Sequence, residues 1–215
     1  MPMTPQDASR RAREICGLAP IVPVLVVNDV THARPLAEAL VAGGLPALEV
    51  TLRTPVALDV IAEMAKVTGG VVGAGTLVTV QDVKNAKAAG ATFGVSPGAT
   101  DALIDACEAE ELPLLAGAAT ASEAMRLYER GYDMLKFFPA EASGGAPALK
   151  AIGGPLPQIS FCPTGGVSPQ NAASYLSLPN VICAGGSWVA PSAMVASGDW
   201  SGIEKLARAA SVLER

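Results

Sequence analysis

Asp133-Met134-Leu135-Lys136-Phe137-Phe138-Pro139 sets apolar and aromatic residues around one lysine and stops at a proline. Such a run reads as a short buried strand, because proline cannot continue a ladder. A lysine held there is poorly solvated, and burial disfavours its charged form. A neutral amine in a pocket is what attack on a carbonyl requires. The plainer alternative is a lysine whose head reaches water at the strand end.

Working outward, this run is one of eight. The others are Ile21–Val27, Ala47–Leu52, Val71–Gly75, Thr92–Ser96, Leu112–Leu115, Gln158–Cys162 and Val181–Ala184, and the run itself gives Met134–Phe138. Between them lie stretches of helical periodicity: Val30–Ala42, Val56–Val67, Thr79–Ala89, Asp101–Glu110 and Ser122–Arg130. Gly43, Gly69, Gly90 and Gly131 stand where helix C-caps belong. Residues 1–17 read as a short amphipathic helix with no apolar core of a leader peptide. Strand followed by helix, eight times, predicts a parallel sheet with helices outside. Eight units close into a (β/α)8 TIM barrel with an extra N-terminal helix, as one domain over residues 1–215. A doubly wound open sheet is the rival. The barrel is preferred because polar residues gather at the C-terminal ends of nearly all the strands, not at one switch point.

Composition narrows the function classes. Of the 215 residues, 50% are hydrophobic and 16% charged, which favours a compact globular domain over a disordered one. The net charge is −5 and there is no Lys/Arg run, so nucleic acid is not an expected partner. An anionic ligand would have to be held by local donors against that charge. No apolar stretch reaches spanning length, so no membrane partner is expected either. Cys16, Cys107, Cys162 and Cys183 are widely spaced with no C-x-x-C, the pattern of reduced thiols in a cytoplasmic protein. Cys162 and Cys183 each lie near a strand end and are possible neighbours. No His/Cys/carboxylate spacing suits a metal, and no glycine fingerprint suits a dinucleotide, so no cofactor is called for. His32, the single histidine, follows Asn28-Asp29 and reads as a cap or surface residue.

The polar residues converge on one end. In Leu48-Glu49-Val50-Thr51-Leu52-Arg53, alternation puts Glu49, Thr51 and Arg53 on one face and the aliphatic residues on the other. In a barrel the aliphatic face meets the helices and the polar face points inward. An inward Glu and Arg are costly unless paired or used. Met134, Lys136 and Phe138 share a face that, turned inward, would meet Glu49 and Arg53. Gly73-Ala74-Gly75-Thr76, Gly94-Val95-Ser96-Pro97-Gly98 and Gly117-Ala118-Ala119-Thr120 close three more strands with small residues, backbone N–H groups and hydroxyls. Ordinary turn and cap chemistry is their other reading, with Thr76, Thr79 and Ser122 as capping candidates. The last two strands run into Pro163-Thr164-Gly165-Gly166-Val167 and Gly185-Gly186-Ser187-Trp188. Loops after the seventh and eighth strands are where many barrels bind phosphate through backbone N–H groups.

Taken in order, Leu48–Thr54, Val72–Thr76, Ser96-Pro97-Gly98, Lys136-Phe137-Phe138-Pro139-Ala140-Glu141, Phe161–Gly166 and Gly185–Trp188 closely resemble the 2-keto-3-deoxy-6-phosphogluconate (KDPG) aldolase family, with its bifunctional 4-hydroxy-2-oxoglutarate members. The resemblance spans nearly the whole chain. It implies a metal-independent class I aldolase on a (β/α)8 barrel, a homotrimer, acting on a phosphorylated keto acid. It implies Lys136 as the Schiff-base residue and Glu49 as the acid/base. Arg53 and Thr76, with Pro97 and Phe138 as walls, would surround the pyruvoyl end. Gly165, Gly166, Gly186 and Ser187 would bind the phosphate, with Thr164 close to the substrate. One departure follows the fifth strand, where the family often has Pro-Gly and this chain has Ala116 before Gly117, then Ala118-Ala119-Thr120. Preference for the C4-epimeric galactonate or for 4-hydroxy-2-oxoglutarate stays open. Two other classes also fit the residues alone: a phosphosugar isomerase or epimerase with Glu49 as base, and a phosphosugar-binding barrel with a structural lysine.

Overall fold

The computed structural model describes residues 2–215, so Met1, the first residue of the expected N-terminal segment, lies outside it. Eight strands run through the chain: β1 (Ile21–Leu25), β2 (Ala47–Thr51), β3 (Val71–Gly75), β4 (Phe93–Val95), β5 (Leu114–Ala118), β6 (Met134–Phe137), β7 (Ser160–Pro163) and β8 (Ala184–Gly186). They pair in parallel in the order β7-β6-β5-β4-β3-β2-β1-β8. The two ends of that order meet through parallel bridges, Phe161 with Val181 and Thr164 with Gly185. The sheet is therefore a nearly closed (β/α)8 barrel and not an open doubly wound sheet.

The helices are α1 (Pro5–Cys16), α2 (Ala33–Ala42), α3 (Ala57–Met64), α4 (Val80–Ala88), α5 (Asp101–Ala109), α6 (Ala121–Arg130), α7 (Gly145–Gly153), α8 (Ala172–Leu176), α9 (Ser192–Ser197) and α10 (Trp200–Ser211). Local signals start several of them. Thr79 and Asp82 form a capping box on α4, and Thr120 and Glu123 form one on α6. The α6 cap is thus Thr120. Ser122, expected as a cap or turn former, is the second residue of that helix. Gly131 ends α6 in the left-handed conformation, φ +110°, which favours a residue without Cβ.

Two cores follow from strand alternation. Outward residues such as Leu48, Val50, Leu135 and Phe137 pack in one cluster with the helices. Inward residues Val22, Ala47, Phe93, Val95, Leu115, Met134, Cys162 and Cys183 fill the lower barrel, where Ala12 and Cys16 of α1 join them. Helix α1 therefore plugs the N-terminal end of the barrel. Its Ser9 hydroxyl donates to Asp133 Oδ1 at 2.7 Å and accepts from the N–H groups of Asp133 and Met134 at 2.9 and 3.0 Å. Arg13 adds Nη1 to Ser160 Oγ at 2.8 Å and Nη2 to the Asp133 carbonyl at 3.1 Å. These contacts anchor the first residues of β6 and β7.

Some boundaries differ from the sequence expectation. β5 begins at Leu114, after Pro113, because the Leu112 N–H turns back to the Cys107 carbonyl. It extends through Gly117, where the residues 97–98 backbone approaches so closely that a Cβ would collide with the Pro97 carbonyl. What resembles a loop of small residues is the upper half of a strand. β8 is Ala184–Gly186, later than the expected Val181–Ala184. The cause is its register with β1, Ile21 opposite Ala184, while Val181 only bridges to β7. His32 ends a short 3-10 turn over Val30–His32, makes no capping bond, and packs edge-on to Trp200.

Candidate active site

A cavity of about 470 Å³ opens at the C-terminal ends of the strands, a volume suited to a small metabolite. Its floor is polar. Alternation along β2 turns Glu49 inward, and the same alternation along β6 turns Lys136 inward. Lys136 Nζ and Glu49 Oε1 lie 3.2 Å apart. Lys136 is 5% exposed and Glu49 2%, so the pair is shut off from bulk water. An ion pair so placed costs desolvation that its own attraction barely repays, which makes it a poor stabiliser and a candidate site. The Phe138 ring stands 5.2 Å from Lys136 Nζ.

Arg53 lies in the turn after β2, exposed and on the cavity wall. It has no carboxylate within ion-pair distance among the described residues, so Glu49 is engaged by Lys136 and not by Arg53. A free guanidinium at the mouth is open to a ligand carboxylate. Thr76 lines the same wall with φ +65°. A β-branched residue rarely adopts that conformation, and such strain collects at functional sites. Pro97 and Thr164 complete the lower wall. Thr51, which shares the inward face of β2 in sequence, instead donates its hydroxyl to the Leu25 carbonyl at 2.8 Å and is fully buried.

Beside the lysine's strand lies the glycine loop after β7. Gly165 and Gly166 have φ +101° and +82°, and both line the cavity with Val167, Gly185 and Ser187. Gly186 stands between the last two, and a Cβ there would overlap the Trp188 ring, so the backbone at this point admits only glycine. Sequence reasoning also missed Val24, Val26 and Ser192. Val24 and Val26 belong to an unbroken apolar run, where period-2 alternation leaves no signal of which side faces in.

The cysteines carry none of this chemistry. All four are free and buried. Cys16, Cys162 and Cys183 share the barrel floor, so the expected proximity of the last two holds without a bond between them. Among the described residues no cluster of His, Cys, Asp and Glu is arranged to hold a metal ion. No helix among them is long and apolar enough to cross a membrane.

Residues 12–206 match the family of KDPG and KHG aldolases. A 2-dehydro-3-deoxy-phosphogluconate aldolase of Pseudoalteromonas atlantica is 54% identical over 200 residues, covering 93% of each chain. The solved KDPG aldolase of Zymomonas mobilis with 3-phosphoglycerate superposes with a TM-score of 0.91 at 47% identity, covering 96% of this chain and 98% of that one. The Legionella pneumophila KDPG aldolase, with pyruvate captured as a covalent carbinolamine, superposes with a TM-score of 0.90 at 46% identity, covering 93% and 97%.

Proposed function

The chain belongs to the KDPG and KHG aldolase family, and from that premise we propose that it is a class I aldolase working through Lys136 and Glu49. It is a carbon–carbon lyase that cleaves 2-keto-3-deoxy-6-phosphogluconate to pyruvate and glyceraldehyde 3-phosphate. The observation that carries the residue assignment is the buried 3.2 Å contact between Lys136 Nζ and Glu49 Oε1 beneath an open cavity.

The chemistry follows from that contact. Transfer of a proton from Nζ to Glu49 leaves a neutral amine, which adds to the C2 ketone and gives a carbinolamine. Glu49 then gives that proton to the carbinolamine hydroxyl, which leaves as water; the carboxylate is restored and the resulting iminium is an electron sink for the C3–C4 bond. Glu49 removes the C4 hydroxyl proton, directly or through water. The C3–C4 electrons flow into the iminium, and the aldehyde leaves. Glu49 then returns the proton to C3 of the enamine, and hydrolysis frees pyruvate and the amine. Arg53 binds the pyruvoyl carboxylate, since no protein carboxylate occupies it. Thr76, Pro97 and Phe138 wall the pyruvoyl end, Thr164 adjoins the substrate, and Gly165, Gly166, Gly186 and Ser187 receive the phosphate at the far side.

Borohydride reduction in the presence of pyruvate tests this reading. A mass increase on the peptide holding Lys136 is the expected result. Folded protein that gains no adduct in excess pyruvate would refute the Schiff-base mechanism. Comparing kcat/KM for the phosphogluconate, phosphogalactonate and 4-hydroxy-2-oxoglutarate substrates ranks the preferences that the family allows. We further propose a cytoplasmic homotrimer. Light scattering should then give three times the 21.7 kDa chain mass.

A further inference from the structure

The loop after β7 sorts its backbone groups by direction. The Glu141 N–H donates to the Gly165 carbonyl at 3.0 Å. Asn171 Nδ2 donates to the Gly166 carbonyl at 3.1 Å. Glu141 and Asn171 both line a second open groove, whereas Gly165, Gly166 and Val167 line the cavity. In a planar trans peptide the N–H points opposite to its C=O. The partners of these two carbonyls are the N–H groups of Gly166 and Val167, and neither has a protein acceptor among the described residues. Two consecutive N–H groups on cavity-lining residues are thus left for a ligand, as an anion site built from backbone requires.

The two carbonyls are held differently. The Gly165 carbonyl is held by main chain, so side-chain changes leave it in place. The Gly166 carbonyl is held by one side chain. The Asn171 amide is itself fixed, because Ser168 N–H donates to its Oδ1 at 2.7 Å and Ser168 Oγ lies 3.3 Å from the same atom. With Oδ1 committed to an N–H, only Nδ2 can face Gly166. We propose that Asn171 is a positioning residue that aims the Val167 N–H at the substrate phosphate, and so sets the preference for phosphorylated substrate. This rests on the aldolase reading above.

The test compares KDPG with 2-keto-3-deoxygluconate, the same substrate without its phosphate, and uses inorganic phosphate as a binding probe. For Asn171→Ala the ratio of kcat/KM between the two substrates should fall roughly tenfold, through KM for KDPG, with inorganic phosphate weakened by a similar factor. Asn171→Asp keeps the acceptor for Ser168 but turns a carboxylate oxygen on the Gly166 carbonyl. It should lose at least as much. A residue that merely shaped the loop through Ser168 would be restored by Asp, and that result overturns the proposal. So does an equal loss on both substrates. If the wild-type protein fails to cleave KDPG, the aldolase reading fails, yet calorimetry of inorganic phosphate on wild type and Asn171→Ala still decides the role of Asn171.

Discussion

Lys136 and Glu49 meet across the barrel from opposite walls. They stand on β6 and β2, four strands apart in either direction around the closed sheet, and their side chains touch at 3.2 Å in the middle. No local interaction joins them, since 87 positions separate them in the chain. Their contact exists only because the sheet closes.

Glu49→Gln should slow turnover about 10²–10⁴-fold while leaving pyruvate trapping on Lys136 measurable. The same pair predicts a trade between function and stability. Lys136→Met alone strands a buried carboxylate and should cost about 3–5 kcal/mol in urea unfolding. Glu49→Leu with Lys136→Met removes both charges and should recover that loss, up to ~4 kcal/mol beyond wild type, in an inactive protein. A double variant weaker than Lys136→Met would contradict this.

Gly75 guards the geometry of the pair. It ends β3 beside β2, and a Cβ there would run into Glu49 Oε1. Gly75→Ala should push the carboxylate off Lys136 and lower kcat on the order of 10²-fold, since a misplacement near 1 Å costs that much. Steady-state kinetics beside a urea melt checks it. A kcat within twofold of wild type would show that Glu49 tolerates the shift.

Ser9 should matter for stability and little for chemistry. Its buried hydroxyl satisfies two N–H groups at the start of β6 and donates to Asp133. Ser9→Ala leaves those donors bare and should cost about 1–3 kcal/mol. Thermal unfolding reads the loss, and kcat at low temperature should stay near wild type because the site lies at the other end of the barrel.

The four thiols should be inert in the folded protein. All are buried, and burial pushes the Cys107 thiol up to about 12. Ellman titration at pH 8 is expected to give no rapid reaction until denaturant is added, then four thiols per chain. Fewer than four after denaturation without reductant would reveal a disulfide.

Much of this site was legible before folding. Lys136 stands in an apolar run, and Glu49 alternates with Leu48 and Val50, so both inward positions follow from period-2 geometry. The paired glycines, one pair after β7 and the other at the end of β8, marked segments that line the cavity. Other features were not legible, for identifiable reasons. Ala116-Gly117-Ala118 lacks the bulky side chains that signal a strand, yet it pairs with β6, Gly117 opposite Lys136, and Pro97 leaves room there for glycine alone. Val24 and Val26 were invisible as wall residues, since an all-apolar strand has no polar face to mark its interior. The bounds of β8 were not legible either, because the eighth strand's register is set by β1, a long-range pairing.

By itself, the sequence determined the eightfold succession of strands and helices, which strand faces are polar, and the inventory of amine, carboxylate, guanidinium and glycine turns. Those follow from short-range periodicity and turn chemistry, which neighbouring residues encode. Tertiary structure alone decided that β7 meets β8, that Lys136 takes Glu49 and leaves Arg53 free, and that Asn171 fixes one peptide of the glycine loop. Each of these depends on closure, on register or on where a side chain ends after its strand has packed. Those are distances between residues far apart in the chain, and no local pattern carries them.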